Sequence, residues 1–145
     1  MKLFGYGSLL SASAINEHKL GPQKITESNL SEATLNGYAR SYNAVSGHWR
    51  YLGLTKAAWA HTNGVIFDLN PSELPRFREV EGVGDTYDMR DVSKDISPPQ
   101  SEPVFTLVTK KPSENGKIPE DYREEVRKAL EKRTPAFQMA FKIWK

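Results

Sequence analysis

Apolar positions along the chain fall into short runs and alternations, with helical stripes confined to a few segments. The opening "MKLFGYGSLL" reads as a strand from Lys2 to Tyr6 that ends in a Gly-Ser turn and feeds a helical segment from Ser11 to Lys19. After the polar connection "GPQKITESN", the stretch "ATLNGYARSYNAVS" carries Leu35, Tyr38, Tyr42 and Val45, which fits a strand pair or one bent strand broken at Gly37. "WRYLGLTKAAWAHTNGVIFDL" reads as further strand, with a turn at Asn63-Gly64 and a buried strand from Val65 to Leu69. "NPSEL" is a helix start, with Asn70 as N-cap, Pro71 at the first helical position and Glu73 three residues after the cap. That helix runs from Ser72 to Glu81 and stops at Gly82. "DTYDMRDV" and "PVFTLVT" are two more strands, separated by a Pro/Ser/Gln loop at 97–103. Tyr122, Val126, Ala129 and Leu130 recur at helical spacing from Pro119 to Arg133, and the tail 134–145 is apolar enough to pack back on the body. A strand-rich middle with few short helices argues for a single α+β domain over 1–145, its mixed sheet curled into a small β-barrel with flanking helices.

The helix from Ser72 to Glu81 contains one acid in an unusual place. Leu74, Phe77 and Val80 define its apolar face at about 100° per residue. Glu79 then lies about 160° from the centre of that face, and Glu81 about 40° from it. One acid is a solvated surface charge; the other is aimed at the core. An unpaired buried carboxylate costs several kcal/mol. Glu81 is therefore either paired with an arginine such as Arg40, Arg50 or Arg90, or caps a backbone turn beside Gly82, or is a partly desolvated general acid or base.

Composition narrows the chemistry. The 145 residues are 38% hydrophobic and 26% charged, the range of an ordinary globular domain, and no stretch nears the roughly 20 apolar residues of a membrane span. With 20 Lys and Arg against 18 Asp and Glu, the net charge of +2 points away from nucleic acid as a partner. The chain has no cysteine, which removes thiolate nucleophiles, disulfides and Cys-based zinc sites and fits a cytoplasmic protein. His18, His48 and His61 are the only imidazoles, and none has a metal-like spacing, so no metal is expected. Chemistry is left to carboxylates, hydroxyls and backbone. Ser8 has no histidine at a recognisable partner spacing, which argues against a serine nucleophile.

The glycines of the first turn raise the question of what the backbone approaches there. "GYGSLL" lacks the third glycine of a dinucleotide fingerprint and the Gly-Lys-Ser/Thr of a phosphate loop. Gly5 and Gly7 cut the apolar run too early for a secretory leader, despite the small residues at Ala12-Ser13-Ala14. What remains is a tight connection, or a turn whose unpaired N–H groups at a helix entry suit an anion such as a carboxylate.

Taken in order, "LFGYGSLL", "GYARSYN", "GVIFDL" and "EVEGVGDTYDMRDV" resemble the signatures of the γ-glutamylcyclotransferase-like proteins, over roughly residues 1 to 110. That family includes γ-glutamylcyclotransferases, γ-glutamylamine cyclotransferases, the glutathione-specific ChaC enzymes and AIG2-like proteins. Its Y-G-S/T-x loop is matched by Tyr6-Gly7-Ser8-Leu9, and its E-G pair followed by Tyr by Glu81-Gly82 and Tyr87. The loop reads Tyr-Gly-Ser-Leu where better-defined branches have Tyr-Gly-Ser-Asn, and "SGHWRYLGL" matches the ChaC pattern only in part.

The resemblance implies a small barrel, a small-molecule γ-glutamyl substrate held by Tyr6, Gly7, Ser8 and Leu9, and Glu81 as the catalytic acid or base. The implied reaction closes 5-oxoproline by attack of a free α-amine on its own γ-carbonyl, with no cofactor. In this frame the loop holds either the α-carboxylate or the oxyanion, and Tyr87 either orients the site or packs. His48 and Arg50 are weaker candidates for touching the leaving group. The alternatives are a non-catalytic binder on the same fold, or an amide or acyl transferase using another nucleophile.

Overall fold

A computed structural model describes residues 1–19 and 21–144; Leu20 and Lys145, the last residue of the tail expected to pack on the body, lie outside the described residues. The first strand, β1 (Lys2–Gly5), is central to the sheet. It pairs antiparallel with β3 (Trp49–Asp68) and parallel with β6 (Val104–Thr109). β3 continues antiparallel to β2 (Ser31–Ser46), and the edges are β4 (Tyr87–Asp91) and the short β5 (Ile96–Ser97), giving the order β4-β6-β1-β3-β2-β5. Around this sheet lie α1 (Ala12–Lys19), α2 (Leu74–Glu81), α3 (Glu120–Leu130) and α4 (Pro135–Ala140). Among the described residues, no helix is long and apolar enough to cross a membrane.

The central strands are buried on both faces, which explains why they read as continuous apolar runs and not as alternations. Phe4 and Ile66 join one core with Leu35, Tyr38, Leu52, Leu54, Val104 and Val126. Their neighbours Leu3, Val65 and Phe67 turn the other way, into a second core with Leu10, Ile15, Phe77 and Phe137. The sheet curls into a half-barrel, so that edge strand β4 reaches the long hairpin: Tyr87 Oη donates to the Leu52 carbonyl of β3 at 2.7 Å. Thr109 Oγ1 of β6 likewise donates to Asn43 Oδ1 of β2 at 2.7 Å. The mixed α+β sheet with short flanking helices is the architecture read from the sequence.

One turn is misplaced by that reading. β3 runs straight through Asn63-Gly64, and the β2–β3 hairpin turns instead at Gly47, where φ is 62°. Gly64 is required by contact, not by turning. A Cβ there would lie 2.3 Å from the Gly5 carbonyl oxygen and 2.4 Å from the Phe4 ring. Asn63 is occupied as well: its carbonyl and Oδ1 accept from Arg40, and its Nδ2 donates to the Phe137 carbonyl. At Gly37, where φ is 83°, the ladder slips between Asn36 and Tyr38, whose partners are His61 and Lys56, so the extra residues bulge from β3 while β2 continues as one bent strand.

The helix expected over Ser72–Glu81 starts as a 3₁₀ turn at Pro71–Glu73, and α2 proper begins at Leu74. Asn70 opens it with an extended backbone; its carbonyl accepts from Glu73 N–H at 2.9 Å, and Glu73 Oε1 accepts from Asn70 N–H at 3.3 Å. It ends at Gly82, whose φ of 73° lets the Val83 N–H return to the Arg78 carbonyl at 2.9 Å.

Candidate active site

The site is built where β1 runs out. A Cβ on Gly5 would sit 2.4 Å from the Leu9 carbonyl oxygen, so the loop can fold back on its own strand only if that residue is glycine. The loop is buried, and two anchors hold it. Tyr6 Oη donates to the Leu107 carbonyl at 2.7 Å, and the Tyr6 carbonyl accepts from Arg40 Nη1 at 3.1 Å. Arg40 is itself buried, donates to the Asn63 and Lys142 carbonyls and stacks 3.6 Å from the Phe141 ring centre. Burial pulls its guanidinium down to about 9, while Tyr6 and Tyr122 push it back up, so it stays cationic at neutral pH. Thus the arginine of "GYARSYN" ties β2, the first loop and the C-terminal segment together.

Two donors at the entry of α1 are already taken by side chains. Ser11 Oγ accepts from Ala14 N–H at 3.2 Å, and the Glu27 carboxylate accepts from Ala12 N–H at 2.7 Å. The free donors lie one step earlier. Among the described residues, nothing accepts a hydrogen bond from the N–H of Gly7, Ser8 or Leu9. Buried backbone donors are rarely left so, and these three border a cavity.

That cavity, about 40 Å³, is lined by Gly5, Tyr6, Gly7, Ser8, Leu9, Phe77, Glu81, Tyr87 and Tyr122 among others. It adjoins a wider mouth of about 390 Å³ bordered by His18, Ser46, Tyr51, Val80, Asp121 and Glu125. Ser8, Glu81, Tyr87 and Tyr122 line both. The fold therefore brings together all six residues singled out in the sequence: Tyr6, Gly7, Ser8, Leu9, Glu81 and Tyr87.

Glu81 arrives there by helical phase. Phe77, fully buried, marks the centre of the inward stripe of α2, and Glu81 lies one turn further along it. Its side chain is only 12% exposed, whereas Val80 is 41% exposed and turns to the mouth. The face drawn through Leu74, Phe77 and Val80 thus needs correcting: Glu81, not Val80, continues it.

No arginine is Glu81's partner among the described residues. Arg40 is committed as above, and Arg50 donates to the Tyr42 and Gly116 carbonyls. The partner is His18, in the last turn of α1. Its Nδ1 lies 2.8 Å from Glu81 Oε2 and its Nε2 lies 2.9 Å from Glu125 Oε1. Burial by itself lowers the imidazole's pKa, but the hydrogen bonds and charges of Glu125 and Glu81 outweigh it and raise it to about 10. No described residue donates to Glu81 Oε1. Tyr87's hydroxyl hydrogen goes to Leu52, and its phenol is raised well above its usual range, first by burial and then by Tyr6, Glu81 and Tyr51.

His18 and Glu125 carry no motif in the sequence. Glu125 had a readable signal, since it follows Tyr122 by three residues and so shares its side of α3. His48 sits in the β2–β3 turn and Arg50 just beyond it, and neither borders the cavity or its mouth. Among the described residues, no cluster of His, Asp and Glu is arranged to hold a metal ion.

The fold is similar to several solved structures. One titled "Gamma-glutamyl cyclotransferase" superposes with a TM-score of 0.74 at 14% identity, covering 99% of this chain and 89% of that one. The uncharacterized protein loc79017 from Homo sapiens gives 0.71 at 16% identity, with the same coverage. YkqA from Bacillus subtilis gives 0.70 at 19% identity over 96% of this chain, which spans 51% of YkqA. No curated protein sequence matches the chain. Residues 3–125 match the family described as gamma-glutamyl cyclotransferase, AIG2-like, a span that includes the first loop, Arg40, Gly64, Glu81, Tyr87 and Glu125. The chain belongs to the gamma-glutamyl cyclotransferase, AIG2-like family.

Proposed function

We propose that this protein is a γ-glutamyl cyclotransferase that releases 5-oxoproline and a free amine from a γ-glutamyl compound, with Glu81 as the general acid and base. The observation that carries this reading is the placement of a half-buried carboxylate, one oxygen without a protein donor, across a cavity from three backbone N–H groups without acceptors.

The chemistry follows from those groups. A γ-glutamyl compound brings an α-ammonium, an α-carboxylate and a γ-amide. The ammonium pairs with Glu81 Oε1, offsetting the cost of the carboxylate's burial. Glu81 takes one proton, and the freed amine nitrogen attacks the γ-carbonyl carbon of the same molecule. The carbonyl oxygen gains charge as the centre becomes tetrahedral. The bond from that carbon to the leaving nitrogen then breaks as the departing amine takes the proton back from Glu81, and the second proton, shed by the ring nitrogen as it becomes the lactam N–H, leaves with that amine as its ammonium. No water is consumed, and nucleophile and electrophile come from one substrate, so the protein supplies shape, a proton carrier and oriented donors. The N–H groups of Gly7, Ser8 and Leu9 face the two anionic centres this sequence presents, the α-carboxylate and the oxyanion. A donor aimed at the latter is worth ~10²–10³ in rate.

The test is release of 5-oxoproline from a panel of γ-glutamyl amino acids, γ-glutamyl-lysine and glutathione, followed by mass spectrometry. The cyclic lactam with an equivalent of amine is expected from at least one compound. Open glutamate would assign the site to hydrolysis, and binding without any product would make it a non-catalytic pocket.

A further inference from the structure

We infer that His18 is a positioning residue for Glu81: lodged between two carboxylates from α2 and α3, its imidazolium occupies Glu81 Oε2 and turns Oε1 toward the cavity. This rests on the cyclotransferase reading of the site.

The geometry fixes the charge of the ring. A neutral imidazole has one N–H and one lone pair, so a ring with carboxylate oxygens at 2.8 Å and 2.9 Å from its two nitrogens would set a lone pair against one of them. Only the imidazolium donates to both. Its direct partners are Glu81 from α2 and Glu125 from α3, and the other titratable groups that border the same mouth are Asp121 and Tyr122 from α3, Tyr51 from β3 and Tyr87 from β4. Among the described residues, the only cationic group bordering that mouth is His18 itself.

Two consequences follow for Glu81. A carboxylate's terminal torsion is soft and two-fold, so a lone Glu81 would sample orientations that point neither oxygen at the substrate. A charge-assisted bond to Oε2 selects one. The imidazolium also stands between Glu81 and Glu125, bonding one oxygen of each. Placement of the ring is secured from behind. Lys19, the next residue of α1, makes a buried ion pair with Glu73 at the start of the α2 segment, while His18 reaches the end of α2. The two contacts tie the last turn of α1 to both ends of the α2 segment, which is what an orienting side chain needs.

The experiment compares wild type, His18→Gln and His18→Ala in kcat and kcat/KM against pH, on a γ-glutamyl compound that wild type converts to 5-oxoproline. Loss of a charge-assisted hydrogen bond predicts a fall in kcat of roughly tenfold to a hundredfold. The alkaline limb should vanish from the profile of His18→Gln, because the ring whose pKa is raised to about 10 in wild type is gone. Added imidazole should restore part of the rate to His18→Ala. Glu125→Gln weakens the hold on the imidazolium and should bring the alkaline loss of activity to lower pH. Folded variants with an unchanged alkaline limb and no imidazole rescue would make His18 a purely structural contact and overturn the inference. Silence of wild type across the substrate panel would instead defeat the cyclotransferase reading, and this inference with it.

Discussion

Adjacent residues of α1 make two acid–base pairs with one helical segment, and the pairs do different things. Lys19 meets Glu73 where that segment starts, and both side chains are sealed off, 3% and 8% exposed. His18 meets Glu81 where it ends, and there the residue borders a hollow and its second carboxylate oxygen has no donor among the described residues. In sequence both acids belong to the same short helix. Glu73 satisfies its remaining oxygen on the Asn70 N–H, so its charge is consumed by structure. Glu81 is only half consumed. A buried acid marks a candidate site when part of its bonding capacity faces a cavity that a substrate can fill, not because it is buried or paired.

The strongest way to break that contrast is to neutralise each acid. Glu81→Gln should lower 5-oxoproline release by ~10²–10⁴, the range of positioned proton transfer, while Glu79→Gln, on the exposed side of the same helix, should leave it near wild type. Equal losses from the two would show that helical phase does not select the active acid. Circular dichroism should find the Glu81→Gln fold intact, since an amide of the same shape fills the same space.

Neutralising the other acid should have the opposite signature. Glu73→Ala leaves a buried ammonium at Lys19 without its counter-charge, a change that costs about 3–5 kcal/mol in comparable buried pairs. Urea unfolding should register that loss, while the alkaline limb of the rate profile in the surviving folded protein stays in place. If that limb changed as in the His18 variants, the two pairs would be one coupled unit.

Much of this was legible in the sequence because it follows from local rules. The Gly82 stop, the Asn70-Pro71 start and the phase of Glu81 depend on neighbours within one or two helical turns. The long-range parts were not. Asn63-Gly64 carries the local signature of a turn, but Gly64 is glycine because β1 passes within contact distance, which no window of β3 alone can reveal. Val80 reads as core when the face is drawn through apolar residues alone, which biases its centre away from the acid. His18 escaped notice since its meaning depends on acids 63 and 107 residues away. Its residue type promises nothing until α2 and α3 are brought beside it.

The smallest expected effect separates the pairs by pH. His18's folded pKa of about 10 stands above its unfolded value near 6.5, so its contribution to stability is complete below about 6.5 and is lost as pH rises through about 10. Wild type should therefore lose thermal stability progressively across that window, and His18→Gln, which cannot titrate there, should follow a flatter course. Because the ring is partly open to solvent, the difference should be a modest shift in Tm that added salt diminishes. The Lys19–Glu73 pair is closed to solvent, so salt should leave the Glu73→Ala deficit nearly unchanged. A salt response of the same size in both would mean that the mouth beside Glu81 is as dry as the interior, and that the half-open carboxylate is not open at all.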